Sequence, residues 1–288
     1  MQFERAAAPG EENPVTLRAR NGAIWCAVVF IVIVAGFGMA KAQARLEATY
    51  TATLLGIPIG DVSWTIDIQQ HQFSAVASGG TAGLLRLFTE GHGTSAARGT
   101  VAGGQPVASN FSLSMVSGGW SKEVQVLFNG GKAKEYVSVQ PAAPPNPDLV
   151  PLTEAHRAGV IDPITALLIR VPGSGDTAVP QACERTLAIF DGLTRYDLEL
   201  NFKRLDSVKA DEGYQGAAVV CSVRFSPLAG HDPDRTLIKY LAEQRDIEMW
   251  LAPLAGSRLT VPFRITIPTP VGLGVVQAVK FITVLKPA

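Results

Sequence analysis

The chain has 288 residues, 25 basic and 25 acidic side chains, three cysteines, 28 glycines and 19 prolines. This neutral balance, with no block of five or six like charges, excludes the electrostatic footprint of a nucleic-acid binder and an acidic or basic tail. The length suffices for one large β-rich domain with a real core, or for two small ones.

The chain opens on Arg18 and Arg20, an unbroken apolar run over residues 23–40, and Ala42, Gln43 and Ala44. A basic flank, an apolar core and small residues two apart read as a secretory signal peptide over residues 1–44, cut after Ala44. The run sits at the lower edge of a bilayer span, about 18 to 20 residues, so a retained N-terminal anchor is the alternative. No cysteine stands near the cut, which argues against a lipid-modified N-terminus. Cys26 would leave with the signal, and Cys183 and Cys221 would remain in an oxidising compartment. An even pair there predicts a disulfide closing a loop of roughly forty residues. Two reduced, buried small hydrophobes are the other reading.

After Arg45, short β-prone runs are broken by Gly, Pro and Asn. Residues 50–55 and 61–68 flank Gly56-Ile57-Pro58-Ile59-Gly60, with Val62, Trp64, Ile66 and Ile68 alternating with polar neighbours. Period two with β-branched and aromatic residues on one side predicts a hairpin with one buried face. Residues 73–77, 94–98, 107–116, 122–128 and 134–139 continue the meander, the last two runs joined by Asn129-Gly130-Gly131, which supplies the positive φ angles of a tight turn. Residues 82–88 read equally as helix or strand. Gly79-Gly80, Gly103-Gly104 and Gly118-Gly119 read as turns rather than phosphate cradles.

Residues 140–151 hold five prolines and form a crossing, neither helix nor central strand. Asp162-Pro163 then predicts an N-cap and first turn, with Ile164, Leu167, Leu168 and Val171 on one helical face and Pro172-Gly173 as the stop. The second β-rich half comprises residues 187–190, 194–200, 217–225, 247–251, 258–267 and 275–284. A helix over residues 234–243 interrupts it, with Leu237, Ile238 and Leu241 on one face. The expected fold is mainly β (α+β): a curved antiparallel sheet or barrel-like meander with two or three short helices behind an N-terminal apolar signal helix, formed as one domain over residues 45–288, with two small domains as the alternative.

The order of the motifs carries a resemblance. A G-x-P-x-G turn near the mature start is followed by the Asp-Pro helix with Ala166, Leu167 and Leu168, then by Phe190-Asp191-Gly192-x-x-Arg195-Tyr196-Asp197-Leu198. Cys221-Ser222-Val223-Arg224-Phe225-x-Pro227-x-Ala229-Gly230-His231 comes next, and Trp250-Leu251-Ala252-Pro253 ahead of Val261-Pro262 closes the series. Together they resemble the exported bacterial family catalogued as domain of unknown function 3108, over essentially the whole mature chain. The resemblance implies a β-rich envelope protein located in the periplasm, or in the inner membrane through a single N-terminal anchor. Its members look like the curved-sheet carriers that cradle lipids and lipoproteins, an analogy of fold alone.

Several residues are candidates for chemistry. Asp191 and Asp197 can form a carboxylate pair of the kind used in acid/base catalysis. The simpler expectation is that Asp191 supports a turn and Asp197 lies on a solvated strand face. Arg195, Arg224 and His231 form a set that can bind an anionic group, the arginines offering bidentate forks, or pair at the surface with Asp197, Asp232 or Asp234. Trp64, Trp120 and Trp250, with Phe88, Phe111 and Phe263, can line an apolar cavity or fill the core. The four histidines lack metal-site spacing, so no metal and no cofactor is expected. The reading favoured is a non-catalytic binding or scaffold protein for a lipid or other amphiphile, partnered by that ligand or by an envelope protein and not by nucleic acid. An envelope enzyme acting on cell-wall or polysaccharide material is the alternative, with Asp191, Asp197 and His231 the first residues to test.

Overall fold

A computed structural model describes residues 43–83, 90–139 and 146–286. The expectations for the N-terminal signal, for residues 84–88 and for the start of the proline-rich crossing lie outside the described residues.

The first seven strands are β1 (Gln43–Leu54), β2 (Ile57–Ile68), β3 (Gln72–Thr81), β4 (Gly91–Ala102), β5 (Gln105–Ser117), β6 (Trp120–Asn129) and β7 (Lys132–Val139). They form an antiparallel meander in sequence order. In β1 the alternation is plain: Ala44, Leu46, Ala48 and Tyr50 are buried while the residues between them are half-exposed. The β1–β2 turn is tighter than the five-residue motif predicts, because Leu54 pairs with Ile57 and leaves only Leu55 and Gly56 in the turn, both at positive φ. Gly79 and Gly80 depart from expectation. They lie inside β3, where a Cβ on Gly79 would stand 2.8 Å from the Asp61 carbonyl, so glycine serves close strand approach there instead of a turn.

After the crossing come a 3-10 turn (Glu154–Arg157), helix α1 (Pro163–Ala166) and β8 (Ile169–Arg170). Asp162 caps α1 as predicted, its Oδ1 accepting from the backbone N–H of Ile164 at 3.0 Å and Thr165 at 2.8 Å. The helix is shorter than its periodicity suggests. Ile169 and Arg170 pair with Thr260 and Leu259, and the strand pairing ends the helix before its apolar face runs out.

The second half holds β9 (Arg185–Phe190), β10 (Arg195–Lys209), β11 (Glu212–Gly213), β12 (Gln215–Ala229), α2 (Thr236–Glu243), β13 (Ile247–Pro253), β14 (Leu259–Thr269) and β15 (Gly272–Lys286). β15 pairs with β1, so both halves belong to one sheet of order β7-β6-β5-β4-β3-β2-β1-β15-β14-β13-β12-β10-β9, with β8 and β11 as short additions. Every neighbouring pair on this path is antiparallel.

The thirteen strands curl into a nearly closed barrel. Its first and last strands do not pair directly; residues 158–161 bridge them. Ala158 pairs with Lys132 on one side and Ile161 with Ile189 on the other. Val160 donates to the Gly131 carbonyl, Ile161 to Ala188, and Phe190 to Ile161, each at 2.9 Å. α1 packs against β3, β4, β5 and β9, strands from both ends of the sheet, and so lies within the curve. One core gathers around Leu46, Ile66, Phe111, Phe263 and Phe281, and a second around Leu200, Val219 and Leu251. Cys183 and Cys221 form a disulfide in that second core, tying the 3-10 turn at Pro180–Ala182 to β12 across a sequence separation of 38.

Candidate functional site

Strand register builds an apolar stripe across the second half of the sheet. Leu198 on β10 faces Phe225 on β12, Val223 faces Ile247 on β13, Met249 faces Ile265 on β14, and Ile265 faces Val276 on β15. Paired residues share a face, so these side chains form one continuous surface. That surface is not filled. A cavity of about 270 Å³ lies on it, lined also by Leu167 and Tyr196 and by Leu241 of α2. A second cavity of about 140 Å³ shares Leu167 and Ile265 and adds Tyr50, Val62, Trp64 and Ile164. A third, about 350 Å³, shares Ile265, Ile267 and Val276 and reaches Leu54, Val271 and Leu237 of α2.

These shared walls make a groove with α1 on its inner side and Leu237 and Leu241 over it. No charged side chain lines any of the three cavities. The two tyrosine hydroxyls in the groove walls are engaged or held neutral. The Tyr50 hydroxyl donates to the Pro262 carbonyl at 2.7 Å, and burial raises its pKa. Burial also raises the Tyr196 hydroxyl, helped by the charges of Asp191 and Asp162. Asp162, fully buried beneath the groove, has its carboxyl pKa raised by burial despite its helix-capping hydrogen bonds. An anion brought here would lose its hydration and meet no cation, whereas hydrocarbon would lose nothing.

The structure separates most of the residues singled out in the sequence. Trp64 lines the groove, and its Nε1 is buried without an acceptor among the described residues. Trp250 lies on the opposite face of β13 from Met249. Its Nε1 donates to Asp206 at 2.9 Å, and the guanidinium groups of Arg204 and Arg264 stand 5.2 and 5.0 Å from its ring. Trp120 opens β6 at a hairpin tip, apart from Trp64, and is 41% exposed. Phe111 and Phe263 are buried in the first core, and Phe88 lies outside the described residues.

Arg195 is paired with Asp197 at 2.6 Å and also donates to the Tyr196 carbonyl. Arg224 is exposed on β12, opposite Glu199 in register. Asp191 organises the β9–β10 turn: Oδ1 accepts from the Leu193 and Thr194 N–H groups, and Oδ2 from the Thr194 hydroxyl. His231 follows Gly230, which packs on Leu193, so His231 and Asp191 come to the same end of the barrel. The Asp191 carboxylate nevertheless points its bonding capacity into its own turn. Among the described residues no group of His, Cys, Asp or Glu could hold a metal ion. Groove residues that sequence reasoning did not name as a site include Leu167, Ile265, Ile267 and Met249. Their signal is strand alternation, or helical spacing at Leu167, which marks a buried face without telling whether that face is filled.

The disulfide places the domain in an oxidising, extracytoplasmic setting. Among the described residues no helix is long and apolar enough to cross a membrane.

No curated protein matches the chain. Among solved structures, it is similar to a crystal structure described as a beta-barrel-like protein of domain of unknown function DUF1849 from Brucella abortus. The TM-score is 0.43 at 7% identity, covering 85% of this chain and 98% of that one. The model of the family described as "Protein of unknown function (DUF3108)" matches residues 49–279, most of the barrel, and the chain belongs to that family.

Proposed function

We propose that this protein is an exported, periplasmic, non-catalytic binding protein whose barrel holds the hydrocarbon part of a lipid or other amphiphile. The observation that carries the reading is the groove: three adjoining cavities in a β-barrel, walled by apolar side chains from nine strands and two helices and free of any charge. The largest of the three, about 350 Å³, is within the range of small-molecule sites, roughly 300 to 1,000 Å³, and the two smaller ones adjoin it. Filling such a space with an alkyl chain gains about 0.8 kcal/mol per buried methylene. Three to five methylenes would therefore supply roughly 2 to 4 kcal/mol before the cost of association.

The test is native mass spectrometry of the protein purified from its own cells, with solvent extraction and lipid analysis of whatever co-purifies. A stoichiometric amphiphile identifies the cargo. In parallel, the neutral apolar fluorophore N-phenyl-1-naphthylamine should brighten and shift to the blue with the wild type. Ile265→Trp, which fills the junction of all three cavities, should weaken that binding at least tenfold. Dye binding that is indifferent to this substitution would sink the reading.

A further inference from the structure

Large apolar side chains stand in solvent at one end of the barrel. The antiparallel order puts the β1–β2, β5–β6 and β14–β15 turns and the α2 connection at that end, and Gln43 and Lys286 at the other. Leu55 is 66% exposed, Ile57 52%, Val271 65% and Leu273 46%. Leu237 of α2 and Trp120 are exposed there as well. The Leu55 N–H donates to the Leu273 carbonyl at 3.0 Å, so two of these tips form one body. Exposed large residues are ordinary one at a time; a ring of them at one end is not.

Two further features say what covers this ring. The first is continuity with the groove: Val271 and Leu237 of the ring line the 350 Å³ cavity beside Leu54, so the ring adjoins the groove. Met115 and Val116, leading into the β5–β6 tip, share a neighbouring cavity with Ala52 and Ile59. The second is charge. Residues 52–60, 115–121 and 265–279 contain no Asp, Glu, Lys, Arg or His. Such tips complement hydrocarbon and its neutral boundary, and a half-exposed tryptophan among them suits the interface, where one end of the ring is apolar and the other wet.

We propose that this rim docks on a lipid bilayer, so that the groove opens into the membrane and exchanges its ligand there. The proposal rests on the reading above that the groove holds hydrocarbon. A bilayer yields to separate projecting tips, whereas a second protein copy would have to match them and would close over the opening.

The experiment uses the full chain with phosphatidylcholine vesicles carrying brominated acyl chains, which quench nearby tryptophan. Wild type minus Trp120→Phe isolates the Trp120 signal from Trp25, Trp64 and Trp250. That signal should be quenched by the vesicles, and Leu55→Asp with Leu273→Asp, both exposed and outside the cavity walls, should weaken the effect at least tenfold in vesicle concentration. The same double variant should bind N-phenyl-1-naphthylamine in vesicle-free solution as the wild type does. Absence of Trp120 quenching, or quenching unchanged in the double variant, overturns the proposal. So does a wild-type dimer that the double variant converts to monomer, since the rim would then be a contact between copies. Should the dye fail to bind while Trp120 is still quenched in a rim-dependent way, the groove reading falls and the rim stands.

Discussion

Tyr136 and Phe190 meet edge to face across the seam of the barrel, with ring centroids 6.0 Å apart and planes at 89°. One ring comes from β7 and the other from β9, strands at the two ends of the sheet that share no ladder. The Arg157 guanidinium stacks 4.6 Å from the Tyr136 ring and donates to its hydroxyl at 2.9 Å, adding a third element to the closure. Edge-to-face pairs contribute about 0.5 to 1.5 kcal/mol beyond area burial. Tyr136→Ala should therefore lower stability by about 2 kcal/mol and speed amide exchange at Val160, Ile161 and Phe190, while Tyr136→Phe, which keeps the ring, should cost less than half as much. Equal losses in the two variants would place the closure in the hydroxyl instead of the ring.

The same seam makes a demand on one glycine. Gly192 has φ +93°, and a Cβ there would overlap Val124 Cγ1 and sit 2.9 Å from Val126 Cγ2 on β6. Gly192→Ala combines backbone strain with overpacking and should cost about 3 kcal/mol, read as a lower thermal midpoint. A loss under about 1 kcal/mol would show that the β9–β10 turn can lift off β6 without penalty.

The disulfide restrains the unfolded chain over a separation of 38 residues. In the chain-entropy model this contributes about 4 kcal/mol. Cys183→Ala with Cys221→Ala should show that difference in urea unfolding against the oxidised wild type. Thiol labelling of denatured, unreduced protein should leave both cysteines unmodified.

Two carboxyl groups push stability in opposite directions with pH. Glu248 takes two hydrogen bonds from Arg204, at 3.0 and 2.9 Å, and these, aided by Lys203, hold its pKa down at about 2. Its contribution is present above the ordinary value of 4.5 and disappears as pH falls towards 2. Because Lys203 and Arg204 are about 40% exposed, screening limits the effect to about 1 kcal/mol. Glu248→Gln should flatten the acid limb of the stability curve by that amount.

Asp162 does the reverse. Burial raises its pKa from 3.8, so the folded state holds its proton longer than the unfolded chain, and stability declines as pH rises from 3.8 through the raised folded value. Asp162→Asn keeps an oxygen for the Ile164 and Thr165 N–H groups and removes the charge. It should be at least as stable as the wild type at pH 8, whereas Asp162→Ala, which loses the cap, should be less stable by about 1 kcal/mol. Chemical denaturation of the three proteins at pH 4 and pH 8 reads both comparisons.

Much of the architecture is local chemistry and was legible before any coordinates. The alternation through Val62, Trp64, Ile66 and Ile68 made β2 one-sided. Asn129-Gly130-Gly131 and Gly118-Gly119 turned their hairpins, Asp162-Pro163 began a helix, and Asp191 built its turn. Residues 201–209 escaped notice as strand, since Lys203, Arg204 and Asp206 break the alternation and only pairing with β12 holds them extended. The candidate site was less legible. Trp64 lies on a cavity wall. Trp250, of similar burial, faces the other way because a strand turns successive side chains to opposite faces and a single register decides which is which.

The sequence by itself determined the β-rich class, the turns, the capped helix and the cysteine pair, because each depends on residues near one another in the chain or on composition. Only the tertiary structure decided that α1 stops at Ala166, that Gly79 and Gly80 lie within a strand, that residues 158–161 close the barrel, and that Ile265 stands at the meeting of three cavities. Those outcomes depend on which distant strands pair and on how much volume their side chains leave unfilled. Both are properties of the assembled barrel that no window of the sequence contains.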